Sequence, residues 1–217
     1  MLRRFFLMLL LLILAGVATA QGAATVVASA RAQVGVTVHY DPAYARIPYP
    51  NGDVPMERGV CADVLVRAFR ADGIDLQQLV HDDMRAHFSA YPHAWGLRSP
   101  DSNIDHRRVP NLETFFRRHG FALPITANPQ DYRAGDIVSW RLPNGLAHIG
   151  LVSDRQARDG SGRPLVIHNI GNGAQEEDVL FAWTQAGHFR WRFPAVHGHA
   201  RDRSPLQQAL TSLTWNH

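Results

Sequence analysis

Apolar residues recur at helical spacing in the first half of the chain, most clearly after Cys61. The repeat is followed by Gly73, at the position where a glycine commonly ends a helix. The repeating residues are Val60, Val64, Leu65, Ala68 and Phe69. Arg67 and Arg70 fall on another face. The pattern predicts an amphipathic helix with Cys61 in its first turn.

Three other stretches also favour helices. Residues from about 23 to 33 are rich in alanine and predict a first helix. In "DLQQLVHDDMRAHF" the first residue, Asp75, can cap the start of another helix. In "VPNLETFFRRHG" we expect Asn111 to cap the helix and Gly120 to end it. A long polar loop, "SAYPHAWGLRSPDSNIDHRR", separates the last two, and loops of this length are often functional.

The second half of the chain is patterned as strands. Short β-branched or aromatic runs, "GDIVSW", "AHIGLVSD", "RPLVIHNI" and "HFRWRF", are separated by turn-forming residues. This order predicts an antiparallel meander that follows the helices. We therefore expect an α+β domain with N-terminal helices packed on an antiparallel β-sheet.

The first twenty residues have the pattern of a cleavable signal peptide. Two arginines precede an apolar run, and small residues stand at Ala18 and Ala20. Residues 1–20 are therefore expected to be removed after Ala20, and residues 21–217 to form one domain in the periplasm or outside the cell. No later apolar run approaches the length of a membrane span, so none is expected after cleavage. The tail from about residue 195 is expected to be poorly ordered or a short helix.

Composition narrows the function classes. The formal charge is +3, and loss of Arg3 and Arg4 would leave only +1, so binding to nucleic acid is not expected. The single cysteine, Cys61, has no disulfide partner in the chain, although exported proteins commonly pair their cysteines. A lone thiol in an exported protein is either buried and inert or reactive.

The position of Cys61 favours a nucleophile. A helix start provides free amides and a positive dipole end, which stabilise a thiolate. A base is also needed, and His148 opens the strand run "HIGLV". His168 ends the following strand, so a hairpin would bring the two imidazoles together. Either His168 or the adjacent Asn169 would then orient the base.

The stretches "YPNGDVP", "GVCADVLVRAFR", "NIDHRRVPNL", "AGDIVSW", "HIGLV" and "HNIG" resemble the bacterial family called domain of unknown function 1287. That family in turn resembles the NlpC/p60 cell-wall peptidases. The resemblance implies a papain-like fold in which Cys61 attacks a carbonyl, His148 transfers the proton and His168 orients it. Tyr49, twelve positions before Cys61, matches a tyrosine that helps to stabilise the oxyanion in NlpC-type sequences.

Polar residues around the cysteine and in the long loop are assigned to a substrate surface. They are Asp63, His81, Asp105, His106, Arg107, Arg108 and Asn169. Arginines such as Arg107 and Arg108 can hold a carboxylate in a bidentate fork, although a salt-bridged loop is an equal alternative. His81, Asp82, Asp83 and His87 raise the possibility of a metal, but the two histidines are six positions apart and do not share a helix face well. No metal or cofactor is predicted.

Together these features predict an exported cysteine hydrolase that cleaves an amide bond through a thioester. Peptidoglycan peptides, or another amide of the cell envelope, are the expected substrate. Three alternatives stay open: an acyl or peptidyl transferase with the same chemistry, a non-catalytic cell-wall-binding module and, more remotely, a metal-dependent amidase. The sequence carries no signal for a particular oligomeric state.

Overall fold

The computed structural model describes residues 21–193, which contain four α-helices and eight strands. The helices are α1 over residues 21–31, α2 Cys61–Arg70, α3 Leu76–Ala86 and α4 Val109–Arg118. The strands are β1 His39–Tyr40, β2 Arg58–Gly59, β3 Ala122–Leu123, β4 Ile137–Arg141, β5 Ala147–Gln156, β6 Pro164–Asn169, β7 Ala174–Glu177 and β8 Thr184–Phe189. Short 3-10 turns cover Phe88–Ala90, Asp105–Arg107 and Pro129–Asp131. The predicted signal peptide and the tail from residue 195 lie outside the described residues.

Six strands form one antiparallel sheet in the order β3-β8-β4-β5-β6-β7, and β1 pairs with β2 in a separate parallel ribbon. The predicted α+β arrangement with an antiparallel sheet is confirmed, and β4, β5 and β6 are the expected meander. The last strand differs from the prediction: β8 covers Thr184–Phe189, so "HFRWRF" contributes only its first two residues. Strand β8 returns to pair with β4 on the side away from β5.

Each face of the sheet has its own apolar cluster. The larger cluster joins the helices to Ile137, Ile149, Leu151 and Ile167, and it includes Cys61. The smaller cluster lies on the opposite face and contains Val138, Trp140, Val152 and Val166 with Tyr132 and Leu180. Side chains alternate along a strand. His148 and His168 therefore share the face of the smaller cluster, while Cys61 packs on the helix side.

Helix α2 is buried on nearly every side, which the amphipathic pattern did not predict. Arg67, expected on a polar face, is buried. Its guanidinium donates to the carboxylate of Asp53 and to the carbonyl oxygens of Val54 and Arg58. The buried charge is thus paired, and it ties the irregular segment before Cys61 to the helix.

The helix caps were predicted with mixed success. Asp75 caps α3 by accepting a hydrogen bond from the Gln77 N–H at 3.0 Å, as expected. The prediction for Asn111 is wrong, because α4 already begins at Val109 and has Pro110 in its first turn. Asn111 instead uses its amide to donate to the carbonyl oxygen of Asp105. Across residues 21–193, no helix combines the length and apolar character that crossing a membrane requires.

Candidate functional site

Cys61 is the first residue of α2 and is 4% exposed. The N–H groups in the first turn of a helix lack acceptors within the helix, so those of Cys61 and Ala62 are available near the sulfur. The amide of Ile149, on strand β5, also lies close enough to the thiol to affect its pKa. The nucleophile candidate is therefore held between a helix start and the residue that follows His148.

Burial raises the pKa of Cys61 to about 12. The amides of Ile149 and Ala62 act in the opposite direction, but they are outweighed by the loss of solvation. At neutral pH the thiol is therefore protonated in the resting structure. The helix start alone does not produce a thiolate here, although its position favoured one.

The predicted proximity of the two histidines is confirmed. His148 Nε2 and His168 Nδ1 are 2.9 Å apart, within hydrogen-bond distance. His168 is fully buried and His148 is 2% exposed. Asn169 points elsewhere: its amide donates to the Gly59 carbonyl at 3.0 Å, and its oxygen accepts from the Gly171 N–H. Of the two candidates for orienting His148, only His168 contacts it.

Glu177 extends this contact into a chain of three groups. His168 Nε2 lies 3.0 Å from Glu177 Oε2, so this nitrogen carries the proton that the carboxylate accepts. In the neutral imidazole, His168 Nδ1 then carries a lone pair, which accepts a hydrogen bond from His148 Nε2–H. We assign the tautomers from this network. The assignment leaves the lone pair of His148 on Nδ1, the atom that a base would use.

Aromatic rings enclose the histidine pair on the second face of the sheet. The ring of Trp140 is nearly parallel to that of His148, and the ring of Trp183 is perpendicular to it, both at 5.6 Å between centroids. Burial lowers the pKa of His148 to about 3, with a further contribution from His168. Burial also lowers the pKa of His168, although the carboxylate of Glu177 opposes this shift. Both imidazoles are therefore neutral at neutral pH.

The glycine in "HIGLV" is required by this packing. Gly150 lies on the same face as His148, two residues along the strand. A Cβ there would come within 2.7 Å of Val166 Cγ1 and 3.2 Å of the Cβ of His168. A side chain at this position would therefore force Val166 to move and would crowd the strand segment that carries His168.

A cleft of about 440 Å³ borders the histidine pair. His148, Trp183, Ala147, Ile170 and Tyr40 are among its lining residues, and Cys61 is not. Tyr40 lines this cleft and lies near the start of helix α2, because it pairs with Gly59, two residues before Cys61. Burial, followed by Cys61 and Asp63, raises the pKa of its phenol. Within residues 21–193, no hydrogen bond joins the Cys61 sulfur to either histidine. Among the described residues, His148 Nδ1 has no hydrogen-bond partner either.

Asp63 and Arg107, both assigned to a substrate surface from the sequence, form a buried ion pair. Arg107 Nε and Nη2 each donate to the Asp63 carboxylate at 2.9 Å. Asp63 also accepts from the Val60 N–H at 2.6 Å, and Arg107 donates to the carbonyl oxygens of Asp41 and Ala43. The pair therefore joins the start of α2 to the segment that carries Tyr40.

Tyr49 lies against helix α3. Its hydroxyl donates to Asp82 Oδ1 at 2.9 Å, and its ring meets that of His81 edge-on at 5.2 Å. Burial, followed by the bond to Asp82, raises the pKa of Tyr49 to about 12. The tyrosine that the structure associates with Cys61 is Tyr40, and the oxyanion role of Tyr49 stays a prediction.

The remaining polar residues surround the turn at Asp105–Arg107. His81 Nδ1 contacts Asp105 Oδ2 at 2.8 Å, and His106 is buried with its pKa lowered to about 3, chiefly by burial. Arg108 stacks on Trp95, with its guanidinium 4.5 Å from the ring centroid. His87 pairs with Asp83, away from His81. In the part of the chain that the structure describes, no three His, Cys, Asp or Glu side chains are arranged to hold a metal ion.

Sequence reasoning missed Tyr40, Glu177 and the two tryptophans. Glu177 has a recognisable signal, because "HNIGNGAQEE" has a glycine-rich turn that can fold an acidic strand back beside His168. Strand β7 does pair with β6 in this way, with His168 opposite Gln175. Tyr40 has no such signal, since a parallel bridge between β1 and β2 brings it near the thiol.

The chain belongs to the family described as Domain of unknown function (DUF1287), whose profile matches residues 27–191. A curated relative from Escherichia coli (strain K12), named "Uncharacterized protein YijF", is 65% identical over 162 residues. That match covers 75% of this chain and 78% of the relative. The expected resemblance to domain of unknown function 1287 is therefore confirmed.

Proposed function

We propose that the protein is a papain-like cysteine hydrolase that cleaves an amide bond through a thioester on Cys61. The observation that carries the proposal is the chain His148, His168 and Glu177, which leaves His148 Nδ1 free on the strand beside Cys61. A nucleophile, a base and a group that orients the base are the parts that nucleophilic catalysis requires.

The reaction begins when the Cys61 sulfur attacks the amide carbon and its proton passes to His148 Nδ1. The amides of Cys61 and Ala62 stabilise the oxyanion, and Tyr40 is a third donor. The C–N bond then breaks, and His148 returns the proton to the departing amine. In the second half, His148 takes a proton from water and the resulting hydroxide attacks the thioester carbon. The C–S bond then breaks, the acid leaves and His148 returns the proton to the Cys61 sulfur.

The resting protonation states shape this mechanism. With the pKa of Cys61 raised to about 12 and that of His148 lowered to about 3, the pair starts as neutral thiol and neutral imidazole. Proton transfer therefore accompanies attack instead of preceding it. In the resting structure Cys61 packs on the helix side of the sheet and His148 on the other face, so substrate binding has to bring the thiol and the imidazole together. Catalytic contacts often tighten only in the complex.

Peptidoglycan peptides are the proposed substrate class. They are amides of the cell envelope, the compartment expected from residues 1–20. Their exposed carboxylates also suit a protein whose basic residues are all arginines.

The test is digestion of purified peptidoglycan, with the released peptides identified by mass spectrometry. We expect release by the wild-type protein, and a loss of about a thousandfold or more in Cys61→Ala and His148→Ala, since a nucleophile and its base act as a unit. The exposed histidine His39 provides the matched control, His39→Ala, which keeps full activity. Release that persists in Cys61→Ala would overturn the proposal.

One observation favours a second candidate, a non-catalytic cell-wall-binding module. Cys61 is buried and protonated, as an inert core thiol would be. Added hydroxylamine distinguishes the hydrolase from the binding module, because it would attack a thioester formed on Cys61 and release the acyl group as a hydroxamate. Binding of peptidoglycan without either hydroxamate or free product identifies the binding module.

A further inference from the structure

A second cleft, of about 320 Å³, lies between the loop around Trp95 and the start of helix α4. Trp95, Arg98, Asp105, Arg108 and Asn111 are among its lining residues. This cleft shares no lining residue with the one beside His148.

Two residues that line this cleft each have a buried side-chain acceptor without a hydrogen-bond partner in the described chain. They are Asp105 Oδ1 and Asn111 Oδ1, on residues that are 0% and 1% exposed. The other carboxylate oxygen of Asp105 is occupied by His81 and by the Asp101 N–H. A buried acceptor without a partner loses the hydrogen bonds that water gives it in the unfolded chain, which destabilises the fold. The pair therefore calls for a ligand that brings hydrogen-bond donors.

The same cleft also contains two arginines that have no carboxylate partner among the described residues. Within residues 21–193, neither Arg98 nor Arg108 forms an ion pair or a side-chain hydrogen bond. The Arg108 guanidinium lies over the Trp95 ring, 4.5 Å from its centroid, and this contact positions the guanidinium while its N–H groups have no partner among the described residues. A planar, oriented guanidinium matches the two oxygens of a carboxylate.

We propose that this cleft binds an α-amino acid head group, with an ammonium and a carboxylate on the same carbon. The ammonium donates to Asp105 Oδ1 and Asn111 Oδ1, and the carboxylate accepts from Arg108. A free diaminodicarboxylic acid presents this head group at both ends, and one that is joined to a peptide through one end keeps it at the other. The site does not rest on the proposed hydrolysis, because binding needs neither Cys61 nor His148.

The probe is 2,6-diaminopimelate, titrated into the full chain and followed by calorimetry and NMR. Pimelate keeps both carboxylates without the amines, and pentane-1,5-diamine keeps both amines without the carboxylates. We expect saturable binding of the diamino acid and binding at least about tenfold weaker for each control, because each lacks one half of the charge-assisted contacts. Equal binding of either control, or no saturable binding of 2,6-diaminopimelate, would overturn the proposal.

Variants locate the site. Arg108→Gln should weaken binding about tenfold or more, and Trp95→Ala, at an exposed position, should weaken it about threefold by releasing the stacked guanidinium. Arg85→Gln is the matched control, an arginine on the exposed side of α3 that should bind as the wild type does. Cys61→Ala should also bind normally, which separates this inference from the hydrolase. Unchanged binding in Arg108→Gln, with its fold verified by thermal unfolding, would contradict the assignment.

Discussion

Two buried polar networks, the Asp63 and Arg107 pair and the His148, His168 and Glu177 chain, lie near the start of helix α2. They differ in whether every hydrogen-bonding atom already has a partner. The Asp63 and Arg107 pair is closed: the contacts of both side chains are to the pair itself, to the Val60 N–H or to nearby backbone carbonyls. The His148, His168 and Glu177 chain is open, because it reaches solvent through Glu177 and ends at the free Nδ1 of His148.

The difference separates a network that only joins segments of the chain from one that leaves an atom available to a ligand. A closed network holds segments together but has no atom left for a ligand, so its loss is a loss of folding free energy. The open chain contributes little to folding free energy at its exposed end, Glu177. It does fix the tautomer of His148, so that the lone pair lies on Nδ1. Each prediction below removes one member of these networks.

The largest effect is expected from Arg107→Gln. Removing the guanidinium leaves the Asp63 carboxylate buried without its charge partner, which typically costs about 3–5 kcal/mol. Urea unfolding measures the free energy directly. The matched variant is Arg58→Gln, whose half-exposed guanidinium should contribute no more than about 1 kcal/mol. A cost below that of Arg58→Gln would mean that the closed network does not stabilise the helix start.

Acid should destabilise the protein through its buried neutral histidines. The pKa values of His148 and His106 are both lowered to about 3, against about 6.5 in an unfolded chain. Between these values the unfolded state binds protons that the folded state does not. The stabilising contribution is therefore fully present above pH 6.5 and decreases as the pH falls toward 3.

His148→Gln tests this linkage. Near pH 5 each such histidine adds a slope of about 1.4 kcal/mol per pH unit to the free energy of unfolding. In the variant, the slope of the unfolding free energy against pH should be smaller by about the contribution of one histidine. Urea unfolding at several pH values measures this slope. His39→Gln, at an exposed position, is the matched histidine replacement measured beside it. An unaltered slope in His148→Gln would mean that His148 is protonated in the folded state.

Glu177→Gln should affect the proposed hydrolysis more than stability, because its side chain is 43% exposed. A charge-assisted hydrogen bond is worth about 1.5–3 kcal/mol, so the rate should fall roughly 10- to 100-fold. The acid limb of the pH profile should also move to lower pH, since the carboxylate raises the pKa of His168. Asp178→Asn, the next residue, is the control. A profile that keeps its shape and position would remove Glu177 from the chain.

The smallest effect compares the two tyrosines. Tyr40→Phe should lower kcat/KM about 2- to 10-fold, the value of one neutral hydrogen bond to the oxyanion. Tyr49→Phe should leave it unchanged, because that hydroxyl is bonded to Asp82. Both are measured on the peptide that peptidoglycan digestion identifies. The reverse pattern would restore the oxyanion role to Tyr49.

Much of the architecture follows from local patterns. The helix that begins at Cys61 and the strands of the meander are periodic in the sequence, and the contact between His148 and His168 follows from pairing two neighbouring strands. Arg67 and Asn111 were misjudged for a common reason. Arg67 is buried by a segment outside its own helix, and Asn111 lies inside a helix that begins two residues before it, at Val109. Apolar periodicity along the chain predicts neither.

The sequence by itself determined the family, the α+β arrangement and the candidates Cys61, His148 and His168, because these depend on periodicity, residue type and order along the chain. Only the tertiary structure decided how the polar residues divide into the closed and the open network. It paired Arg107 with Asp63, brought Glu177 to His168 and put Tyr40 near the thiol. Burial then set the protonation of Cys61 and His148, since desolvation depends on what surrounds a group in space and not on its neighbours in sequence.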